Sequence, residues 1–389
     1  MSRAGIRIHQ AAEVLRLWDP SLPFAPFFRQ NCQKHKEWGS RDRREIKALC
    51  YSWFRLGQVS HLIEENESAL AWAAYLYETE MHQWLTDWQA KGLLPRDLEV
   101  LDSLDARMRQ FREFLNLENP FFPLADEISP ALAEWNADES LAMPSRLWFR
   151  CRKDRKEELI QLLRTHKIEF TVDGLAFGMD TGINLDLILG KQASSFGAIQ
   201  DRASQEVIRR IDWNGYSVWD TCTASGGKAL QIMQEFTPAS LFCTDVRASI
   251  LENLKRRFQS AGMKIPTNGV MDLSRSQPNQ AKKEYDRILC DVPCSGSGVF
   301  ARNPDSMQRM NEDLLIHYLM VQEKIILHTV PFLKKGGILV YATCSVYEKE
   351  NEGHFERFAS IGLQLKEWSY LNYRAEGGDI LFYALFEKS

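Results

Sequence analysis

Long apolar runs are missing from this chain. No stretch approaches the roughly 18 consecutive apolar residues that a membrane-spanning helix requires. The N-terminal residues, Met1 to Arg7, lack the apolar core of a secretory signal peptide. We therefore expect a cytoplasmic protein that does not bind membranes. In that compartment its eight cysteines would stay reduced and would form no disulfide framework.

Two familiar ligand signatures are missing as well. The cysteines are not arranged in paired Cys-x-x-Cys units, so we expect no metal site. The glycine pair Gly226-Gly227 lies between a predicted strand and a predicted helix. It fits neither the Gly-x-Gly-x-x-Gly loop of dinucleotide-binding proteins nor a Walker A loop. A phosphate cradle is therefore not the first interpretation of this loop.

The composition is that of a globular protein with a sizeable core. The chain has 389 residues, of which 44% are hydrophobic and 26% charged, which allows two or three domains. The formal net charge of −4 argues weakly against nucleic-acid binding. Basic clusters nevertheless occur at residues 34–47, 146–156 and 255–257, and each is either a solvated helix face or a local contact for an anion.

The hydrophobic pattern divides the chain into three regions. Residues 1–138 are predicted to be helical, with Ile46, Leu49, Cys50 and Trp53 spaced along one helix face. Residues 141–196 are predicted to form a small module with a strand, a helix and a hairpin around Asp173-Gly174. Residues 197–389 alternate strand and helix, which predicts an α/β domain with a doubly wound sheet.

The strands and helices of the third region can be placed individually. The predicted strands are Ser217–Trp219, Leu241–Thr244, Ile288–Cys290, Ile338–Ala342 and Leu381–Phe386. The predicted helices are Gly227–Glu235, Ala248–Ala261 and Glu312–Leu333.

Two predicted strands end in a cysteine-containing turn. The strand at Ile288–Cys290 is followed by Asp291 and Cys294, and the strand at Ile338–Ala342 is followed by Cys344. Ligands of α/β sheets bind just beyond the carboxyl ends of the strands. Because metal spacing is missing, two thiols in this position indicate covalent chemistry. The residues alone do not decide which thiol is the nucleophile.

Acidic residues mark the same edge of the predicted sheet. Asp245, Asp272 and Asp291 come at the ends of successive strands, and the first strand runs into the glycine-rich loop 220–228. An acid about 25 residues after such a loop is typical of a site that holds a nucleoside ribose. The pattern predicts an adenosyl-type ligand lying across this edge.

Six motifs together resemble one family. They are Gln200-Asp201-Arg202-Ala203-Ser204, the loop Asp220 to Lys228, Asp291-Val292-Pro293-Cys294-Ser295-Gly296, Asn303-Pro304-Asp305, Thr343-Cys344-Ser345 and Glu350-Asn351-Glu352. In this order they are similar to the motifs of the RNA (cytosine-5)-methyltransferases, the Nop/Sun or RsmB/Fmu family. Ser40-Arg41-Asp42-Arg43 and Leu49-Cys50-Tyr51 resemble the helical domain of its bacterial ribosomal-RNA members.

The resemblance implies a fold and an activity. The fold would be a Rossmann-like S-adenosylmethionine-dependent methyltransferase sheet, with an N-terminal all-helical NusB-like domain and a small RRM-like α+β module. The activity would be methylation of carbon 5 of a cytosine in RNA, with small-subunit (16S) ribosomal RNA favoured and the protein a monomer. The alternatives are a tRNA substrate, a non-catalytic RNA-binding assembly factor and, least favoured, a DNA methyltransferase.

The resemblance also implies roles for individual residues. Cys344 would be the nucleophile, Cys294 would assist product release, Asp291 would bind the edge of the cytosine ring, and Lys228 would lie beside the base. The cofactor-binding residues would be Cys222, Thr223, Ala224, Ser225, Gly226, Gly227, Lys228, Asp245, Asp272 and Asp291.

Two positions depart from the family pattern. The family has Ala-Ala-Pro where this chain has Thr223-Ala224-Ser225, and a tryptophan where it has Gln308. The lost proline predicts a freer cofactor loop.

Overall fold

The computed structural model describes residues 2–63, 66–118, 120–190, 193–275 and 284–389. The chain divides into two compact units. The helical unit comprises Met1–Asp126, Glu134–Met143 and Phe300–Glu312. The sheet unit comprises Glu127–Ala133, Pro144–Val299 and Asp313–Ser389.

The helical unit is built from α-helices joined by short 3₁₀ turns. Its helices are α1 (Arg3–Leu17), α2 (Phe24–Lys34), α3 (Ser40–Arg55), α4 (Asn66–Tyr77), α5 (Leu85–Ala90), α6 (Leu104–Leu115) and α7 (Ala137–Ala142). Helix α3 buries the face that the sequence predicts, including Ile46, Leu49 and Cys50. Its first turn is capped by Asp42, whose carboxylate accepts a hydrogen bond from Gly39 N at 2.9 Å.

A late segment of the chain completes the helical unit. Residues 300–312 follow the Pro-Cys loop in sequence but pack with helices from the first third of the chain. Asp305 accepts a hydrogen bond from Phe24 N, at the start of α2, at 3.0 Å. Gln308 lies 3.1 Å from His61 Nε2. The Gln308 that departs from the family pattern is therefore a contact within the helical unit.

The sheet unit contains a small antiparallel sheet. Its strands are β1 (Leu147–Cys151), β2 (Phe170–Asp173), β3 (Ala176–Met179) and β4 (Gly197–Ile199), in the order β2-β3-β1-β4. The helices beside it are α8 (Lys156–Thr165), α9 (Leu185–Leu189) and α10 (Ala193–Phe196). Strands β2 and β3 form the predicted hairpin, with Asp173 paired to Ala176. Phe149, Leu159 and Phe177 lie in its core.

The larger sheet has seven strands. They are β5 (Ser217–Asp220), β6 (Ser240–Asp245), β7 (Thr267–Val270), β8 (Tyr285–Asp291), β9 (Leu333–Thr343), β10 (Leu363–Asn372) and β11 (Ile380–Lys388). The helices that accompany them are α11 (Arg202–Arg209), α12 (Gly227–Glu235), α13 (Ala248–Ser260), α14 (Glu312–Thr329) and α15 (Phe355–Ala359). Alternate side chains enter two cores, as a two-residue period requires: Val218 packs in one and Trp219 in the other.

The strand order of this sheet locates its ligand-binding edge. The order is β10-β11-β9-β8-β5-β6-β7, with parallel pairing from β9 to β7. The chain leaves β5 toward β6 and later returns on the other side of β5 with β8, so the direction of winding changes there. Ligands of such sheets bind at this switch point, outside the carboxyl ends of the strands. The predicted doubly wound α/β sheet and the predicted helical N-terminal region are confirmed.

Within the part of the chain that is described, every helix is too short or too polar to cross a membrane.

Candidate active site

The two thiols at the strand ends lie side by side. Strands β8 and β9 are neighbours, and the turns that follow them bring Cys294 Sγ within 3.4 Å of Cys344 Sγ. Gly298 holds the turns together, because its N–H donates to the Cys344 carbonyl at 2.9 Å. A Cβ at position 298 would lie 2.1 Å from the Ile380 carbonyl oxygen, so only glycine fits. The sequence predicted that both thiols lie at one edge, and the structure brings them into contact.

The two thiols are not equivalent. The hydrogen bond to Cys344 and burial together raise the pKa of Cys294 well above its ordinary value. Ionisation of Cys294 is therefore unfavourable in this position. The attacking species of a cysteine nucleophile is the thiolate. Cys294 is therefore poorly suited to attack the ring itself.

A half-buried ion pair lies beside the thiols. Lys228 Nζ, on the first turn of α12, donates to Asp291 Oδ2 at 2.7 Å. Burial lowers the pKa of Lys228, but the charge and hydrogen bond of Asp291 and the neighbouring Cys344 outweigh it and leave the pKa raised. The lysine therefore stays positively charged. A fixed cation near Cys344 favours the thiolate form of a nucleophile.

Glu350 braces both cysteine turns and was not predicted as a site residue. Its buried carboxylate accepts from Ser295 N at 2.9 Å, from the Ser345 hydroxyl at 2.5 Å and from Gln322 Nε2 at 2.9 Å. Ser295 follows one cysteine and Ser345 follows the other, so one side chain fixes both turns. Burial raises the pKa of Glu350. Its motif was recognised in the sequence, but its bracing contacts depend on tertiary structure.

The loop between β5 and α12 is tightly folded. Ala224 and Gly226 both adopt left-handed backbone angles, with φ of 47° and 78°. Thr223 N donates to the Thr244 carbonyl, and Ala224 N donates to Asp245 Oδ2 at 3.0 Å. The predicted cofactor loop, residues 222–228, therefore lies against the end of β6. Asp245 is brought to this loop, as the sequence predicted.

The other predicted acid, Asp272, makes local contacts. It follows β7, at the edge of the sheet, and accepts from the Ser274 N–H and hydroxyl at 3.1 and 2.6 Å. Its second oxygen pairs with Arg275 at 3.0 Å. Asp245 is also engaged by an arginine, Arg247, whose side chain is 59% exposed and free to turn into solvent.

Asp220 was not among the predicted site residues, yet it is the most unusual acid of the sheet. It ends β5 at the switch point, is 1% exposed, and neither carboxylate oxygen has a hydrogen-bond partner within the described residues. Burial raises its pKa to about 7; the nearby Thr223 hydroxyl, which meets no hydrogen-bond criterion here, and Lys228 oppose this rise, and the negative charges of Asp291 and Asp245 add to it. An acid at the end of the first strand was the signal available in the sequence.

An unpartnered buried carboxylate suits a cationic ligand. S-adenosylmethionine carries a positively charged amino group and a sulfonium centre, so the residues at this edge fit it. Its amino acid and nucleoside parts require polar contacts. The acids at the ends of β5, β6 and β8 offer such contacts, and so does the backbone of the loop that follows β5.

The raised pKa of Asp220 predicts a pH effect on the cofactor-free protein. A carboxyl whose pKa is higher in the folded than in the unfolded state binds its proton more tightly when the protein is folded. The stabilisation that this proton gives is present at low pH and is lost as the pH rises from about 4 to about 7. We expect the variant Asp220→Asn to lack this pH dependence of stability. Between pH 5 and 7 the wild type should lose up to about 2 kcal/mol of stability relative to the variant.

Thermal unfolding of both proteins at the two pH values measures this difference. His354, whose pKa burial lowers to about 4, titrates in both proteins and cancels in the comparison. Parallel pH profiles of the melting temperature would show that Asp220 is not the titrating group.

An arginine tethers the loop where the family has proline. Arg257, on α13, donates to the Ser225 hydroxyl at 3.3 Å and to the Ile199 carbonyl at 2.9 Å. A Cβ on Gly227 would lie 3.4 Å from this guanidinium, so Arg257 packs directly on the loop. Ser225, which stands where the family has proline, is therefore held by a hydrogen bond from Arg257, whereas a proline is restrained by its own ring.

We predict that Arg257→Ala weakens S-adenosylmethionine binding by about three- to tenfold, because one hydrogen bond to the loop is lost. Calorimetry should show a similar but smaller loss for Ser225→Ala. The double variant should be no weaker than Arg257→Ala alone, since the two groups act through one contact. The exposed neighbour Arg256 supplies the control variant Arg256→Ala. If the losses of binding free energy in Arg257→Ala and Ser225→Ala add fully in the double variant, Arg257 does not act on the loop through Ser225.

The fold and the strand-end site define a class, the Rossmann-like methyltransferases. Residues 212–370 match the family model described as 16S rRNA methyltransferase RsmB/F. Residues 212–370 of this chain are therefore similar to the RsmB/F methyltransferases, and the resemblance drawn from the six motifs is confirmed.

Relatives share part of their length with this chain. The ribosomal RNA small subunit methyltransferase B of Proteus mirabilis is 32% identical over 259 residues, which are 62% of this chain and 59% of that protein. The protein of the same name from Cronobacter sakazakii is 34% identical over 167 residues, 42% of this chain and 38% of that protein. The chain thus spans well under two thirds of these relatives.

Solved structures share the fold. The crystal structure of PH0851 superposes with a TM-score of 0.70 at 20% identity, covering 100% of this chain and 99% of that one. NSun6 from Pyrococcus horikoshii, solved with SFG, gives a TM-score of 0.56 at 15% identity, covering 64% of this chain and 92% of that one.

Proposed function

We propose that this protein transfers a methyl group from S-adenosylmethionine to carbon 5 of a cytosine in RNA, through a covalent bond between Cys344 and carbon 6. The contact of 3.4 Å between the two sulfur atoms carries the proposal. One thiol explains attack on the ring, and the second explains release. The charged Lys228 and the bonded Asp291 supply the remaining polar groups.

Carbon 5 of cytosine is a weak nucleophile until the ring is activated. The Cys344 thiolate adds to carbon 6, and the electron pair of the ring double bond moves toward carbon 5 and the polar edge of the base. This is covalent catalysis, in which one difficult step is divided into easier ones. Asp291 would hydrogen-bond the ring edge, and Lys228 would hold Asp291 in place and favour the thiolate.

The cofactor would supply an electrophilic methyl group on its sulfonium centre. Asp245 would bind the ribose, Asp272 would lie on the adenine side, and the backbone of Cys222, Thr223, Ala224, Ser225, Gly226 and Gly227 would line the methionine part. We add Asp220 to this set, as the partner of the cationic amino group. Its burial excludes water, which strengthens that charge interaction.

Release needs two bonds to break. The proton on carbon 5 must leave, and the bond between carbon 6 and Cys344 must return its electron pair to sulfur. Cys294 donates its proton to the departing sulfur, and its thiolate takes the proton from carbon 5, whose electron pair re-forms the double bond to carbon 6. Both thiols are restored, and the next cycle begins when Cys344 loses a proton to solvent.

Small-subunit ribosomal RNA is the substrate that the family model and the names of the relatives support. A base inside a duplex is out of reach of a thiol, so we expect a single-stranded or loop cytosine. Cationic side chains of the helical and RRM-like parts would give a salt-sensitive grip on the backbone. We further propose that the protein works in the cytoplasm as a monomer.

Bisulfite sequencing of total RNA from cells with and without the protein tests the reaction and the substrate together. We expect one cytosine of small-subunit ribosomal RNA to lose protection in cells that lack the protein. A change confined to a tRNA would refute the ribosomal substrate. An unchanged pattern in all RNA would favour a non-catalytic assembly factor.

A further inference from the structure

A cavity of about 200 Å³ lies on the helical unit. Side chains from α1 and α2, and from the segment that follows α2, line it; they include Glu13, Arg16, Leu17, Asn31, His35 and Trp38. One water occupies about 30 Å³ in the liquid, so the cavity has room for a much larger group. Its mixed apolar and polar lining is typical of a ligand site rather than of a packing defect.

Asn31 is the polar centre of this cavity. The residue is 6% exposed, and its amide nitrogen is buried without a hydrogen-bond partner in the part of the chain that is described. An unsatisfied buried polar group is costly, whereas an apolar residue of similar shape would not be. A ligand that brings a hydrogen-bond acceptor into the cavity would remove this cost.

A rigid aromatic surface lies beside Asn31. The rings of His35 and Trp38 stack with their centroids 4.2 Å apart and their planes at 7°. Trp38 is 4% exposed and therefore fixed, while the side chain of His35 is 37% exposed. Leu17, 65% exposed, adds an apolar wall. Supported aromatic planes of this kind are the surfaces on which proteins stack unpaired bases.

Charged side chains of both signs lie at the cavity: Glu13 lines it, and the Glu37 carboxylate contacts His35 Nδ1 at 2.8 Å. Arg16 lines the cavity, and Lys34 and Lys36 flank His35 in sequence. None of the three makes an ion pair with another described residue. Cations without carboxylate partners are available to phosphate groups.

We propose that this cavity binds one unstacked base of single-stranded RNA, with a preference for adenine. The inference rests on the proposed function, since it assigns a second contact to the same RNA substrate. An asparagine amide presents a donor and an acceptor side by side, which matches the N7 and N6 groups of adenine. The base would stack on His35, and Arg16 would contact a neighbouring phosphate.

Binding of fluorescein-labelled ten-nucleotide RNAs, oligo(A) against oligo(U), tests the site in the full chain. We expect the wild type to bind oligo(A) more tightly. Asn31→Leu should weaken oligo(A) binding by about fivefold without changing its salt dependence, because a base contact is lost. His35→Ala should cost about tenfold. Arg16→Ala should lower the slope of affinity against salt by about one phosphate contact.

Two controls make the outcome decisive. Gln33→Ala changes an exposed residue of the same helix outside the cavity and should leave oligo(A) binding unaltered. Asn31→Leu should melt at or above the wild-type temperature, because it removes an unsatisfied amide. Equal binding of oligo(A) by wild type, Asn31→Leu and His35→Ala would overturn the inference, as would a large loss of stability in Asn31→Leu.

Failure of the proposed function has a different signature. It appears as the absence of 5-methylcytosine when the wild type is incubated with small-subunit ribosomal RNA and S-adenosylmethionine. The oligo(A) measurement involves no methyl transfer, so its result stands apart from that assay. If methylation occurs while the variants bind oligo(A) like the wild type, only the cavity assignment is wrong.

Discussion

Replacing Cys344 by alanine is expected to abolish methyl transfer while leaving S-adenosylmethionine binding intact. Without the Cys344 sulfur, carbon 6 has no partner and carbon 5 stays unreactive, so we expect a loss on the order of 10³-fold or more. The cofactor would contact the loop after β5 and the acids of neighbouring strands rather than this thiol. Transfer of labelled methyl groups to ribosomal RNA and calorimetry with the cofactor measure the two effects separately.

A second cysteine of the same sheet provides the matched control. Cys290 lies in β8, is 0% exposed, and burial raises its pKa to about 12, so it is a packing residue. Cys290→Ala should retain methyl transfer, with a modest loss of stability from the small cavity. Near-normal turnover by Cys344→Ala would refute the assignment of the nucleophile.

Replacing Cys294 by alanine is expected to have the opposite signature, an accumulation of covalent protein–RNA complex. The ring can still be attacked and methylated, but the departing Cys344 sulfur loses the proton donor that lies 3.4 Å away. Release becomes slow, and the adduct should appear as a band of low mobility on a denaturing gel.

The double variant Cys294→Ala/Cys344→Ala separates this explanation from nonspecific trapping. It should form no band, because the sulfur that bonds to RNA is gone. If Cys294→Ala releases methylated RNA at the wild-type rate without any band, Cys294 has no part in release.

The sequence was sufficient to predict many of the elements of the seven-stranded sheet. Helix α12 has the predicted limits, Gly227–Glu235, because a glycine pair and a following apolar period mark it clearly. Strands β8 and β9, which end at Asp291 and Thr343, were also found, since short apolar runs broken by proline, glycine and polar residues are strong signals. Placing both thiols at one edge needed only the rule that parallel strands share their carboxyl ends.

Other elements were misjudged for identifiable reasons. Helix α14 was predicted to reach Leu333 but ends at Thr329, because Pro331 cannot continue it. Strand β9, which was predicted from Ile338, already begins at Leu333. Strand β10, Leu363–Asn372, was missed because most of its residues are exposed and give no buried run.

The site residues that were missed depend on tertiary contacts. Glu350 lies only six residues after Cys344, but its bond to Ser295 joins segments 55 residues apart. Asp220 is distinguished by having no partner within the described chain, which a sequence cannot reveal. The tether from Arg257 to Ser225 likewise spans 32 residues.

The most direct test of the covalent mechanism is to trap the enzyme on substrate RNA that contains 5-fluorocytosine. Fluorine at carbon 5 cannot leave as a proton, so the adduct that Cys344 forms should persist. Tandem mass spectrometry of the digested complex should find a methylated nucleotide joined to the peptide that contains Cys344. A nucleotide joined to Cys294 instead, or methylated RNA produced with no linked peptide, would contradict the account.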